Sequence, residues 1–378
     1  MLFVFLSAAC FLAFIYPFLI YPPMLLLLRK HSLPAPSGVA HSGARVALLF
    51  CAYNEERVLP SKIQNIRDIK KICPDIEVRV YTDCCTDSTV SLLRDAEDVL
   101  TVHEGRSRVG KAAGMSVLID ATQAEILIFT DAAVTLEPES ASRLVSYFND
   151  PHIGTVAGTL HYTNTHDSQT ARTGSLYWRL EETIKRLESE TGSTMGASGQ
   201  IFATRRSLYP TVPANLLDDM IASISPIFCG YRVITVPDVH AFQRVTSDHA
   251  DEFRRKRRIA CRAYNTHRYL VPQLRAMSLT NRFKYISHKY IRWLSSAFLL
   301  LTFVLMLAAI FTLAGFMQAV IALILPLVFI ALGRRFDIPI VSAMTEIGAS
   351  IFATGVGVTE AIAGRTYQTW TPAKSRRR

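Results

Sequence analysis

A chain of 378 residues with a net charge of +10, half of them hydrophobic, is too apolar for an ordinary soluble enzyme of its size. Its seven cysteines have no metal-ligand spacing, which excludes a zinc module or a disulfide scaffold and predicts free thiols, the vicinal Cys84–Cys85 pair included. No nucleic-acid recognition motif accompanies the positive charge, so the partner it implies is the membrane lipid surface and not nucleic acid.

The first run, Leu2 to Leu28, meets no charge before Arg29 and exceeds the roughly 20 residues that cross a hydrocarbon core. A cleaved signal peptide would open on basic residues and carry a shorter apolar stretch, and no basic start supports a lipoprotein cysteine at Cys10. Residues 1–30 therefore read as a transmembrane anchor and 31–43, rich in Ser, Pro, Gly and Ala, as a linker.

From residue 44 to about 250 the pattern changes. Arg45 to Ala52 is an apolar strand, followed by polar Tyr53-Asn54-Glu55-Glu56 and a helical spacing through Ile63, Ile66 and Ile69. Strand Val78 to Thr82 leads into a turn-rich Asp83 to Thr89 and a helix. Strand Val99 to His103, helix Lys111 to Ala121 and strand Ile126 to Thr130 follow, the last ending at Asp131. Such alternation predicts an α/β fold with a doubly wound parallel sheet, in which ligands sit beyond the carboxyl ends of the strands. Asn54-Glu55, Asp83, His103 to Lys111, and Asp131 all fall at those ends.

Asp83 and Asp131 each close an apolar strand, where a carboxylate can accept from a nucleoside or bind a divalent cation that holds a diphosphate. An Asx turn or a helix cap is the alternative for either taken singly. Gly105 to Ala112 nearly spells a phosphate-binding P-loop, but Ala112 lacks the metal-holding hydroxyl and the segment follows the third strand. It reads as a basic loop entering a helix whose N-terminus receives phosphate, with a nucleotide phosphohydrolase as the enzymatic alternative. Gly196-Ala197-Ser198-Gly199 is either a backbone that a substrate approaches closely or a plain turn. In Leu217-Asp218-Asp219-Met220, adjacent carboxylates raise the proton affinity of one, which suits a general base; an acidic pair at a helix N-terminus is the alternative. Arg254 to Arg258 suits either a diphosphate clamp or lipid headgroups, with Arg255, Arg258 and Arg262 on one helical face.

The remainder reads as basic interfacial helices at 251–292 and a transmembrane hairpin at 293–333, built from Leu294 to Phe316 and Gln318 to Gly333. Arg29 and Lys30, then Lys284, Lys289 and Arg292, then Arg334 and Arg335 fall on one side when the middle of the chain is cytoplasmic, in a multi-pass protein of the inner (plasma) membrane. Ile340 to Ala363 carries Glu346 and Glu360, and basic Arg376 to Arg378 follow it. Segment 334–378 is therefore expected to be re-entrant or interfacial rather than a further span.

Together these segments resemble family 2 glycosyltransferases of GT-A (doubly wound, Rossmann-like) fold, of the membrane-anchored exopolysaccharide-biosynthesis type. The resemblance runs from Leu48 to Glu56 (strand then Y-N-E) through Asp83 to Thr89, Arg108 to Gly114 and Asp131-Ala132-Ala133. It continues in Gly196 to Gly199 with Arg205-Arg206, in Asp218-Asp219, and in Gly230 to Val233, with Arg255 to Ile259 as an echo of Q-x-x-R-W. It covers about residues 43 to 335, and its specificity lies in the order of many individually weak motifs. It implies transfer of a sugar, with inversion, from a nucleotide-sugar donor to a lipid-linked or polysaccharide acceptor, with other polysaccharide-assembly proteins as partners. Tyr53, Glu55 and Asp83 would hold the nucleoside. Arg108 and Lys111 would face the diphosphate or sugar. Asp131 would bind a Mg or Mn cation, Asp219 with Asp218 would act as base, Arg258 and Arg255 would steady the leaving group, and Gly196, Ser198 and Gly199 would meet the acceptor. Ala133 replaces the second Asp of the family's D-x-D, leaving the cation to Asp131, phosphates, water and a further ligand such as His240. Ile259 replaces the acceptor-stacking Trp of processive synthases, which implies single or short addition. A catalytically inactive GT-A-like membrane subunit that partners a synthase is the competing reading, and a transporter is the third.

Overall fold

The computed structural model describes residues 1–34, 43–164, 169–244, 248–336 and 338–372; most of the expected linker and Arg376 to Arg378 lie outside them. An eight-stranded mixed sheet forms the centre, in the order β3-β2-β1-β4-β7-β6-β8-β5. Its first half is the βα alternation read from the sequence: β1 (Val46–Ala52), α3 (Leu59–Ile72), β2 (Glu77–Asp83), α4 (Thr89–Arg94), β3 (Thr101–Gly105), α5 (Lys111–Asp120) and β4 (Ile126–Thr130). These four strands are parallel. β1 is buried on both faces, which is why its sequence is a continuous apolar run and not an alternation. α3 turns Leu59, Lys62, Ile63, Ile66 and Ile69 to the core at helical spacing.

The second half departs from a purely parallel sheet. β5 (Thr135–Leu136), α6 (Ser140–Ser146), β6 (Ile153–Tyr162), α7 (Gln169–Glu190), β7 (Ile201–Arg205), α8 (Asp218–Phe228) and β8 (Arg232–Gln243) follow in the chain. β7 runs antiparallel to both β4 and β6, while β6 and β8 are parallel. This insertion brings the loop before β7 and the start of α8 up to the end of β4. One face of the sheet is filled from α3, α4 and α6 and the other from α5.

The N-terminal helix, Leu2–Leu25, comprises α1 (Leu2–Ile15), a π-turn at Tyr16–Ile20 and α2 (Tyr21–Leu25). After β8 come the long basic helix α9 (His249–Ala276), α10 (Leu279–Tyr285), α11 (Ile291–Trp293), α12 (Ser295–Ala314), α13 (Phe316–Arg335) and α14 (Pro339–Ile362). Among the described residues, four helices are long and apolar enough to cross a membrane: Leu2–Leu25, Ser295–Ala314, Phe316–Gly333 and Pro339–Ile362. Length and composition thus associate the chain with a membrane. The last of the four lies against α9, through Lys256–Ser350 (2.6 Å), His249–Glu346 (2.9 Å) and Arg257–Glu360.

A buried polar knot ties the N-terminal helix to α7 and to the segment between α10 and α11. Tyr21 Oη donates to Glu188 (2.6 Å), and His288 bridges Glu188 (2.9 Å) and Glu181 (3.1 Å). Lys284 Nζ donates to the carbonyls of Glu188, Thr191 and Ser193. Burial acts to raise the Glu188 carboxyl, but the charge and hydrogen bond of His288 outweigh it and hold it at about 2.

Candidate functional site

The site is assembled at the carboxyl ends of β1, β2 and β4. The loop after β1 carries left-handed Asn54 (φ 52°), and β2 is followed by left-handed Cys84 (φ 57°). The two loops clasp each other: Asn54 Nδ2 donates to Thr86 Oγ1 (2.9 Å), the Thr86 N–H to Asn54 Oδ1 (2.8 Å), and the Glu55 N–H to Thr89 Oγ1 (2.8 Å). Glu55 is buried in this clasp. Asp83 is fully buried. Its Oδ1 accepts from the Val109 N–H (2.8 Å), and its Oδ2 from the Gly110 N–H (3.1 Å) and Arg108 Nε (3.1 Å). The Arg108 guanidinium lies 3.3 Å above the Tyr53 ring. Tyr53, Asp83 and Arg108 therefore form one cluster. Gly110 (φ 85°) makes the turn that starts α5.

Lys111 Nζ, on the first turn of α5, donates to Asp131 Oδ1 at 2.7 Å. Burial works against its charge, but Asp131, Asp218 and Asp219 together outweigh it and push the ammonium above the usual lysine range. Residues far apart in the chain, from α5, the end of β4 and the start of α8, thus share one electrostatic field. Asp219 shows the converse: burial and then Asp218 push its carboxyl up, against Lys111 and the Met220 N–H (2.8 Å). This is the environment of a carboxylate poised to take a proton. Gly199 lies directly against Asp219, with no space for a Cβ, and Gly196 (φ 102°) makes the preceding turn. Ser198 is buried and bonded by Lys185 Nζ.

The basic run on α9 is largely neutralised within the protein. Arg254 pairs with Asp251, Arg255 is bidentate on Glu252 (2.9 Å each), and Arg257 pairs with Glu360. Arg262, on the face shared with Arg255 and Arg258, lies 4.0 Å from Asp218 Oδ1, while its guanidinium donates to the Leu216 carbonyl.

Four residues of this neighbourhood had no motif to mark them. Lys62 is buried under the end of β4, with Nζ donating to the Val134 carbonyl (2.7 Å) and Thr130 Oγ1 (3.4 Å). Burial pushes it down to about 7 against the pull of Asp131. Lys185 pairs with Glu182 (3.3 Å) and Trp178 as well as Ser198. The Tyr209 hydroxyl is buried without a partner, its ring stacked on Phe129 at 5.5 Å. Trp370, from the C-terminal tail, accepts from Arg108 (2.6 Å) through its carbonyl. Only the lysines' helical phase was readable, and it does not distinguish a buried lysine from a solvated one.

His240, considered as a cation ligand, hydrogen-bonds His161 at 3.0 Å. Among the described residues no three His, Cys, Asp or Glu side chains gather as a metal site, and all seven cysteines are free thiols. A cation at Asp131 would therefore take one protein carboxylate, with phosphate and water oxygens supplying the rest, a donor set that suits Mg and Mn. A cavity of about 540 Å³ bounded by Arg45, Glu125, Arg205 and Arg206 lies at the opposite end of the sheet and belongs to a different surface.

The model of glycosyl transferase family 2 matches residues 48–212. No curated protein matches the sequence. Among solved structures, the mannosyltransferase PcManGT from Pyrobaculum calidifontis, in complex with GDP-Man and Mn2+, superposes on 96% of this chain and 99% of its own. The TM-score is 0.70 at 20% identity, which shows a shared fold. TarS 1-349 from S. aureus covers 85% of this chain and 92% of its own at 14% identity and a TM-score of 0.42.

Proposed function

We propose that this chain, a family 2 glycosyltransferase of GT-A fold, moves a sugar from a nucleotide-sugar donor to a lipid-linked or polysaccharide acceptor at the cytoplasmic face of the inner membrane, inverting the anomeric centre. The observation that carries the reading is the Lys111–Asp131 pair at 2.7 Å, in the field of Asp218 and Asp219 and one cluster away from the Asp83–Tyr53 nucleoside groups. Asp83, Tyr53 and Glu55 hold the nucleoside. Lys111 and Arg108 meet the diphosphate. Asp219, its proton affinity raised by burial and by Asp218, takes the proton of the acceptor hydroxyl as its oxygen bonds the anomeric carbon. The bond from that carbon to the diphosphate breaks, and the nucleoside diphosphate leaves with the electron pair. Gly199 lets the acceptor approach Asp219, and Ser198, held by Lys185, orients it. Arg258, with Arg255, steadies the leaving group, and Arg262 lies 4.0 Å from Asp218 beside the base. Asp131 would hold a divalent cation, which would supply charge neutralisation at the diphosphate; the mannosyltransferase PcManGT is solved with Mn2+.

The domain boundaries follow the same reading: an anchor at 1–30, a catalytic domain at 44–250, interfacial helices at 251–292 and a hairpin at 293–333. α14 lies in the interface, because it is paired along its length with α9, whose Arg254 to Arg258 run opposes burial in hydrocarbon.

The test is nucleoside-diphosphate release by detergent-purified protein. UDP-, GDP- and TDP-sugars are screened with Mg, Mn or EDTA and a membrane lipid extract as acceptor. Release from one donor, dependent on the extract and lost in Asp219→Asn, supports the reading. Donor binding with no release across all acceptors favours the inactive subunit, which the Ala133 substitution already fits.

A further inference from the structure

The C-terminal tail returns to the donor cluster. The chain turns at Gly364 (φ 84°), and Arg365 and Tyr367 are fastened to Glu360 (2.6 and 2.9 Å), which Arg257 of α9 also holds. Asn265 of α9 donates to the Arg365 carbonyl at 2.9 Å. From that fixed point the next residues cross to the mouth of the site. Gln368 Nε2 donates to the Val109 carbonyl (3.0 Å), and the Gln368 carbonyl presses on Gly110 where no Cβ would fit. The Trp370 carbonyl accepts from Arg108 Nη2 at 2.6 Å, and its ring stands edge-on to Tyr53 at 6.1 Å.

Each of these contacts fills a position that a nucleotide would need. A guanidinium 3.3 Å from the Tyr53 ring lies at the stacking distance of a planar base. Both Asp83 oxygens are taken by Arg108 and the N–H groups of Val109 and Gly110. The Gln368 carbonyl brings partial negative charge to the N-terminus of α5, where phosphate oxygens are favoured. We propose that residues 368–372 are an intramolecular competitor of the donor: the tail pins Arg108 on the Tyr53–Asp83 slot, and a nucleoside diphosphate binds by displacing both.

This rests on the donor-site assignment above. Apparent affinity for a ligand of a partly closed site falls by the fraction of open protein. The experiment is calorimetric titration of UDP and GDP into the detergent-purified chain, the truncation lacking 373–378, the truncation lacking 368–378, and full-length Trp370→Ala. The longer truncation is expected to bind the preferred nucleotide about tenfold more tightly than the full chain, about 1.4 kcal/mol. The shorter truncation should match the full chain, and Trp370→Ala should fall between. Equal or weaker binding by the folded long truncation and by Trp370→Ala overturns the competitor and leaves the donor site standing. If no variant binds either nucleotide, the donor-site assignment itself falls, and the competitor with it.

Discussion

Lys62 offers a test of the burial under the end of β4. The side chain is 1% exposed, and burial takes it from an ordinary 10.5 to about 7, so near neutral pH the folded protein holds this lysine about half neutral while the unfolded chain keeps it charged. The gap of about 3.5, at about 1.36 kcal/mol per pH unit, comes to about 5 kcal/mol. The sign follows from proton binding. Between about pH 7 and 10.5 the unfolded state binds the extra proton, so stability from this group rises with pH and is fully present only above 10.5. Lys62→Met keeps the length and removes the titration. From pH 7.5 to 9.5 the native protein should gain about 2.5 kcal/mol relative to the variant, or about 5–10 °C in Tm for a domain of this size. The assay is thermal unfolding in detergent at matched ionic strength. Parallel Tm-against-pH curves for the two proteins would refute the argument, because a solvated Lys62 has nothing to lose.

Asp219→Asn should abolish transfer while leaving donor affinity within about twofold, and should raise Tm at neutral pH, since a carboxyl pushed up by burial is destabilising once ionised; donor calorimetry and melting curves check both. In Asp218→Asn the acid limb of the rate profile should move to lower pH, because a neighbouring negative charge that favours the protonated form of Asp219 is gone. Asp131→Asn should cut activity at least a hundredfold and weaken the dependence on Mn or Mg, read by metal titration of the rate. His288→Ala leaves Glu181 and Glu188 buried without their bridge and should cost about 3–5 kcal/mol, seen as a fall in Tm with the anchor detaching first to added protease.

The sequence alone determined the parts that depend on near neighbours. Apolar runs long enough to cross a bilayer, the β1-to-β4 alternation and the polar residue closing each strand are local patterns. Ile126–Thr130 was placed to the residue, and the other strands shifted by one or two because the ladder, not the composition, ends a strand. Strand-end position and motif order mark Asp83, Lys111, Asp131 and Asp219 in the sequence, and the fold brings Lys111 onto Asp131. The antiparallel half of the sheet was not legible there, because β7 gains its pairing from β4 and β6, and β6 from β7 and β8, all of them distant in the chain. Only the tertiary structure decided which charges meet: Lys62 under Val134, Lys185 on Ser198, Arg262 beside Asp218, and Arg108 on Asp83 beneath a tail 262 residues away. A charge takes its energy from burial and from neighbours within a few ångströms, and in this chain those neighbours are supplied by crossings of distant segments rather than by the residues on either side.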